Sequence, residues 1–228
     1  MPEITRDWVK EKMEQVVGEA VVVTRLEKEE NPAGFLSTVF YVTIEVESTG
    51  EQKELFVKAA HEDKDMAQYV VEQSLDKLEI QFYQEIVPDL IKFEIEMSGR
   101  SEVEKMVPKF YTGGSGDSYL ILENLCSKKF QIINANEGLN EKEMDTLVKT
   151  LAEFHSATIA MGRSRCLRDA NWNWRSAYQH LSSSLDKLDD DPMIMEEVNG
   201  TINRLRKKFK EFQDSELESK LLSYSKVG

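Results

Sequence analysis

The chain has 228 residues, a formal net charge of −13 and 40% hydrophobic residues, which is enough for a packed core and too many for a disordered chain. The acidic excess weighs against a nucleic-acid partner, which requires surplus lysine and arginine, and against docking on an anionic membrane surface. Two cysteines make no disulfide framework, which favours a reducing compartment. Residues 1–15 carry charges where a signal peptide has its apolar core, and no apolar run approaches the ~20 residues of a membrane span. We therefore expect a cytoplasmic protein.

The first part of the sequence alternates between helix and strand patterns. Helical spacing of apolar residues predicts a helix over 7–17, and a run of β-branched residues predicts a strand over 20–26. A turn at 31–34 leads to a long strand over 37–47, which folds back as a hairpin onto a strand over 54–60. Apolar residues outnumber polar ones in both strands, so one face of this hairpin is expected to be buried.

A helix and a second hairpin follow. The apolar period is helical from residue 66 to about residue 90, and Pro88 predicts an end or a kink there. Strand patterns at 107–111 and 118–124 flank a glycine-rich turn, which is typical of a hairpin.

The remainder of the chain has helical spacing. Asn140 followed by Glu143 predicts a capped helix start, and residues 198–222 predict an amphipathic helix. The order of elements predicts an α+β fold in which a sheet-bearing part, residues 1–125, joins a helical part, residues 126–228.

Lys58 is the first candidate functional residue, because it lies in an otherwise apolar strand where an ammonium group requires an anionic partner. It is either an edge-strand lysine whose head reaches water or a phosphate-binding lysine held by a carboxylate of the next helix. Glu79 borders the apolar face of that helix and is the candidate partner, with Glu72 and Glu85 as alternatives.

Two further segments would complete a nucleotide site around this lysine. At the tip of the first hairpin, backbone N–H groups together with Gly34 and Ser37 would contact phosphate oxygens. At the end of the last strand, exposed backbone around Glu123 and Leu125 would pair with the edge of an adenine ring. Each segment alone is equally typical of an ordinary hairpin or edge strand.

In this order the segments resemble the ecdysteroid kinase-like family, a branch of the choline-kinase and aminoglycoside-phosphotransferase group with a two-lobed, protein-kinase-like fold. The resemblance extends over about residues 15–160 and rests on order and spacing more than on any single motif. The segments that carry it are Gly34-x-x-Ser37, Phe56-Val-Lys58, Glu79-x-x-Phe82-Tyr83, Val107-Pro-Lys-Phe-Tyr111, Leu120-Ile-Leu-Glu-Asn-Leu125 and Leu151-Ala-Glu-Phe-His155.

The resemblance implies an enzyme that transfers the γ-phosphate of ATP to a hydroxyl of a small molecule, such as an ecdysteroid or an amino-alcohol. It implies that an antiparallel-sheet lobe binds the nucleotide, with Lys58 on the α- and β-phosphates and Glu79 paired with it. The nucleotide-binding residues that it implies are Lys58, Glu79, Gly34, Ser37, Glu123 and Leu125. This sequence departs from the family pattern at Asp76, where an aromatic residue is usual, and at Phe35, where a small polar residue is usual.

Two motifs of the family do not occur in this sequence. Members carry His-Gly-Asp-x-Trp-x-x-Asn and an Asp-Phe-Gln-type metal site, and the nearest strings here, at 61–63 and 168–173, do not match them. We therefore expect no catalytic and no metal-binding residue in this chain, a helical lobe truncated before the catalytic loop, and Mg²⁺ ligands outside it. The helix over 198–222 would then expose apolar side chains along Ile202, Leu205, Phe209 and Phe212.

The resemblance leaves alternatives open. A non-catalytic, pseudokinase-type module that binds a nucleotide or another ligand is one, and an α+β interaction protein that binds no nucleotide is another. The sequence predicts neither the acceptor substrate nor the oligomeric state.

Overall fold

A computed structural model of the chain describes residues 3–30, 36–130 and 138–181, together with residue 200. The elements given below belong to one compact unit, residues 1–182. The turn expected at 31–34, with Gly34 and Phe35, and the helix expected over 198–222 lie outside the described residues.

The elements in chain order are α1 Arg6–Val17, β1 Val21–Lys28, β2 Ser37–Val46, β3 Gln52–Ala60, α2 Lys64–Glu72, α3 Leu75–Gln81, a π-helical turn Phe82–Ile86, α4 Val87–Ser98, α5 Val103–Met106, β4 Phe110–Gly114, β5 Tyr119–Glu123, a 3₁₀ turn Leu125–Lys128, α6 Glu141–Arg168 and α7 Trp174–Ala177.

The five strands form one antiparallel sheet with the order β1-β2-β3-β5-β4. Both expected hairpins, β2–β3 and β4–β5, are present. The first strand of the second hairpin lies later than the pattern at 107–111 predicts: β4 begins at Phe110 and continues through Gly114, and a short helix, Val103–Met106, precedes it. Because β3 is the middle strand, Lys58 does not lie on an edge strand.

One face of the sheet packs against α1. Thr5 caps the start of this helix by accepting a hydrogen bond from the backbone N–H of Trp8, and Gly18 ends it in the left-handed conformation. Val9 and Met13 are fully buried against alternate residues of the strands. Burial of each such side chain contributes roughly 1.5–3 kcal/mol, so this helix is held by its inner face. The sheet residues of this cluster are Val21, Val23, Val42, Ile44, Val46, Leu55, Val57, Tyr119 and Ile121.

The helix that was expected over residues 66–90 is a series of shorter pieces that extends to Ser98. It is interrupted at Ser74, a buried residue with a left-handed backbone (φ 57°) that separates α2 from α3. The sequence predicts an end or a kink at Pro88, and the chain stays helical through this residue. The π-helical turn, closed by a hydrogen bond from the Val87 N–H to the Phe82 carbonyl, ends just before this proline, which then occupies the first turn of α4, where no intrahelical N–H is needed.

The helical part is built around α6 and α4. The start of α6 is a reciprocal capping box between Asn140 and Glu143, as the sequence predicts. A second core joins residues 86–103 to residues 154–181, with Leu90 and Met161 fully buried at its centre. The architecture is therefore α+β, with an N-terminal antiparallel sheet and helices after it, consistent with a kinase-like fold. The division at residue 125 stays a prediction.

Within the described ranges, no helix combines the length and the apolar character required to cross a membrane.

Candidate functional site

Lys58 lies in the middle of the sheet, on the face opposite to α1. It is paired in register with Val39 of β2 and Leu120 of β5, and its neighbours Val57 and Ala59 point into the other face. The face that carries Lys58 is covered by α3, where Ile80 packs with Leu120 and Leu122. This packing brings one side of α3 over the lysine.

Glu79 of α3 is the partner of this lysine. The Nζ atom of Lys58 donates to both carboxylate oxygens of Glu79, at 2.7 and 2.6 Å. The alternatives make other bonds: Gln68 donates to Glu72, and Gln81 donates to Glu85. The Lys58 and Glu79 side chains are 27% and 38% exposed, so water screens the pair and it contributes only about 0–1 kcal/mol to folding.

The ion pair borders a cavity of about 100 Å³ between β3 and α3. Ser37, at the start of β2, and Ser118, just before β5, also line it. Most of the remaining lining is apolar side chain from the sheet and the two helices.

Asp76, the departure from the family pattern, lines the same cavity one turn before Glu79. Its side chain is buried, and neither carboxylate oxygen has a hydrogen-bond partner in the part of the chain that the structure describes. A buried carboxylate without a partner is costly, since it loses hydration and gains nothing in return. The residue is therefore a source of instability beside the Lys58–Glu79 pair.

The residues expected to contact adenine lie farther along the same strands. Glu123 ends β5 and its side chain pairs with Lys128 at 2.7 Å; it lines a second cavity, between β4 and α4, rather than the one at Lys58. The backbone N–H groups of Glu123 and Asn124 donate to the carbonyls of Lys109 and Glu54. Leu125 begins the 3₁₀ turn Leu125–Lys128, and the first N–H groups of such a turn have no acceptor within it.

Sequence reasoning missed two aromatic residues on the face of the sheet that carries Lys58. Phe56 stands two residues before Lys58, hence on the same face, and contacts Tyr41 of β2 edge to face with ring centroids 5.9 Å apart. Partial burial and the negative charge of Glu29 raise the pKa of Tyr41, so its phenol stays neutral. The two-residue period of a strand was the available signal, because it places Phe56 on the same face as Lys58. Phe56 pairs with Leu122 of β5, so it lies between Lys58 and the end of that strand.

The structure thus brings Lys58, Glu79 and Ser37 together around one cavity, and places Glu123 and Leu125 apart from it. Gly34 is outside the described residues. The role of all six in nucleotide binding stays a prediction. Among the residues that the structure describes, no group of three or more histidine, cysteine, aspartate or glutamate side chains is arranged to hold a metal ion.

Comparison with known proteins gives one match. The model of the ecdysteroid kinase-like family matches residues 31–226. No curated protein and no solved structure matches the chain. Because the family match covers most of the sequence, this chain belongs to the ecdysteroid kinase-like family.

Proposed function

We propose that this chain supplies the ATP-binding part of a small-molecule kinase, one that phosphorylates a hydroxyl of an ecdysteroid or an amino-alcohol. The observation that carries the proposal is the Lys58–Glu79 ion pair, formed in the middle of the sheet beside a cavity that Ser37 also lines. The family to which the chain belongs supports the reaction class, and the acidic balance of the sequence favours a small molecule over nucleic acid or a membrane as partner.

The lysine is suited to bind phosphate rather than only to stabilise the fold. Its pair with Glu79 contributes little to folding, yet the ammonium group is held in one position and stays reachable from solvent. In a chain with a net charge of −13, a fixed positive group is needed to attract a polyphosphate against the surrounding field. Glu79 orients the ammonium group, and the Ser37 hydroxyl offers a further hydrogen bond to a phosphate oxygen.

The spacing along the sheet suits a nucleotide that lies parallel to the strands. In the β3–β5 ladder, Lys58 pairs with Leu120, and Glu123 pairs with Leu55. The separation is three residues, or roughly 10 Å at 3.3–3.4 Å per residue. The phosphates would lie at the Lys58 end, the base at the Leu125 N–H, and Phe56 would contact the base or the ribose between them.

ATP supplies the γ-phosphoryl group, which leaves the β-phosphate oxygen and forms a new bond to the hydroxyl oxygen of the acceptor. The part played by this chain's residues is to bind and orient: Lys58 and Ser37 at the phosphates, with Gly34 as a further backbone contact, and Glu79 at the lysine. We place the Mg²⁺ ligands and the group that takes the hydroxyl proton outside these residues.

Isothermal titration of the full chain with MgATP tests the proposal. We expect one nucleotide per chain, competition by ADP, and binding of an ecdysteroid or an amino-alcohol that strengthens when a non-hydrolysable ATP analogue is present. A chain that is folded by circular dichroism but binds no nucleotide at millimolar concentration would refute the proposal.

A further inference from the structure

Gln81 makes a buried polar connection between the helix that carries Glu79 and a distant part of the chain. The side chain is buried, and its Oε1 atom accepts from the backbone N–H groups of His180, at 3.0 Å, and Leu181, at 3.2 Å. Two donors converge on this one atom, which identifies it as the amide oxygen. The Nε2 group donates to a carboxylate oxygen of Glu85 at 2.8 Å.

A second contact joins the same distant segment to Asp89, eight residues after Gln81. The buried Tyr178 donates its hydroxyl hydrogen to Asp89 at 2.8 Å, and Asp89 also pairs with Arg165 of α6 at 3.3 Å. The contacts at Gln81 and Asp89 flank the π-helical turn Phe82–Ile86. Residues 178–181 are thus fastened on both sides of this turn.

Helix α3 is held by several parts of the fold. It follows the left-handed residue Ser74 and continues without a break into the π-helical turn Phe82–Ile86. Ile80 packs it on the sheet at Leu120 and Leu122. Gln81, two residues after Glu79, adds a buried hydrogen-bonded contact where α3 meets the turn.

We propose that Gln81 is a positioning residue: by bonding to the His180 and Leu181 backbone, it holds Glu79 against Lys58 and couples the ion pair to the segment 178–181. A displacement of that segment then weakens the Lys58–Glu79 pair and makes Lys58 more reactive. Because coupling between two sites is reciprocal, a ligand that fixes Lys58 in turn slows hydrogen exchange in the segment. The consequence for nucleotide affinity rests on the function proposed above, whereas the coupling itself does not.

The first test removes the connection and reads the state of Lys58 without nucleotide. Gln81→Leu keeps the size of the side chain but leaves the two N–H groups without an acceptor. We expect acetylation of Lys58 by acetic anhydride, followed residue by residue with mass spectrometry, to become at least about 5-fold faster, the lower end of usual coupling. Gln68→Leu is the matched control, since Gln68 makes a similar bond to Glu72 on the exposed face of α2, and the Lys58 acetylation rate of this variant should equal that of wild type.

The second test restores the connection with donor and acceptor exchanged. In the double variant Gln81→Glu/Glu85→Gln, a carboxylate accepts from the two backbone N–H groups and an amide at position 85 donates to it. We expect the Lys58 acetylation rate to return to the wild-type value. If Gln81→Leu acts only by lowering general stability, a double variant of equal stability would stay as reactive as the single one, and the proposal would fail.

The third test uses reciprocity and does not require Gln81→Leu to fold. Glu79→Gln weakens the ion pair, and we expect hydrogen exchange at the His180 and Leu181 N–H groups to accelerate by a factor similar to that found for Lys58. Unchanged exchange at both amides overturns the proposal. A wild-type chain that fails to bind MgATP refutes the proposed function. The coupling is still tested in that case by the acetylation rate of Lys58 and the exchange rates of the two amides.

Discussion

Replacing Lys58 by methionine separates a role in ligand binding from a role in folding. Methionine keeps the apolar stem and removes the charge. Because the Lys58–Glu79 pair is partly exposed, its loss should lower the free energy of unfolding by at most about 1 kcal/mol. A hydrogen bond from an ammonium group to phosphate is worth about 1.5–3 kcal/mol, so the MgATP dissociation constant should rise roughly 10- to 150-fold.

Thermal unfolding with and without MgATP measures both effects. At a nucleotide concentration of about 100 times the wild-type Kd, the ligand stabilises the wild type by about 2.7 kcal/mol, and the variant by about 0.3–1.3 kcal/mol at the same concentration. For a chain of this size, 1 kcal/mol corresponds to about 2–4 °C, so the wild-type Tm should rise by about 5–10 °C and that of the variant by at most about 5 °C.

Lys53→Met is the matched control, because Lys53 lies on the same strand, pairs with Glu51 and has the opposite side-chain direction from Lys58. The control should retain the full MgATP-dependent rise in Tm. Equal rises in wild type and Lys58→Met would refute the assignment of Lys58 to the phosphates. A loss of several kcal/mol in the nucleotide-free variant would refute the low stability value given to the ion pair.

Three further predictions concern stability, each checked by urea unfolding. Asp76→Leu should raise the free energy of unfolding by about 1–3 kcal/mol, because it replaces a buried carboxylate that has no partner in the described structure; a decrease contradicts this. Burial, with a smaller contribution from Glu79, raises the pKa of Tyr83 to about 12 from a usual 10.0. Between pH 10 and 12 the folded state therefore keeps a proton that the unfolded state releases, and the free energy of unfolding should fall as the pH rises. Tyr83→Phe should lessen that fall, and an unchanged slope in this variant would contradict the prediction. A Cβ at Gly162 would lie 2.9 Å from the indole nitrogen of Trp174, so Gly162→Ala should lower the free energy of unfolding. This is the opposite of the effect in an open helix, where alanine is favoured over glycine by about 1 kcal/mol. The decrease should vanish when Trp174→Leu removes the indole ring.

Local patterns were sufficient for the two hairpins and for the charged pair at the centre of the sheet, while β4 begins three residues later than its pattern predicts. Runs of strand-forming residues on either side of a turn located both hairpins, since each strand pairs with its neighbour in sequence. A charged residue in an apolar strand pointed to Lys58, and a carboxylate bordering an apolar helix face pointed to Glu79. The capping box at Asn140 was equally readable, because all its atoms lie within four residues.

Features that depend on distant residues were not readable. The apolar period continues without change through Ser74, so nothing local indicates that the backbone there becomes left-handed and that a new helix axis begins. Pro88 predicts a helix end or a kink, but nothing local indicates that a π-helical turn precedes it and that the helix continues to Ser98. The burial of Asp76 follows from the position of α3 over the sheet, which its own sequence does not specify.

The sequence by itself determined the order of strands and helices, the acidic character of the surface and the chemical types brought to the site: one lysine, one candidate carboxylate and a serine hydroxyl. These follow from periodicity and composition, which act over a few residues. Tertiary structure decided which of three glutamates meets Lys58, that the lysine's strand is the middle one, and that Gln81 joins α3 to residues about 100 positions away. The reason is physical: a hydrogen bond between chain-distant groups forms only after packing of the sheet and the helices has fixed their separation, and no local pattern contains that distance.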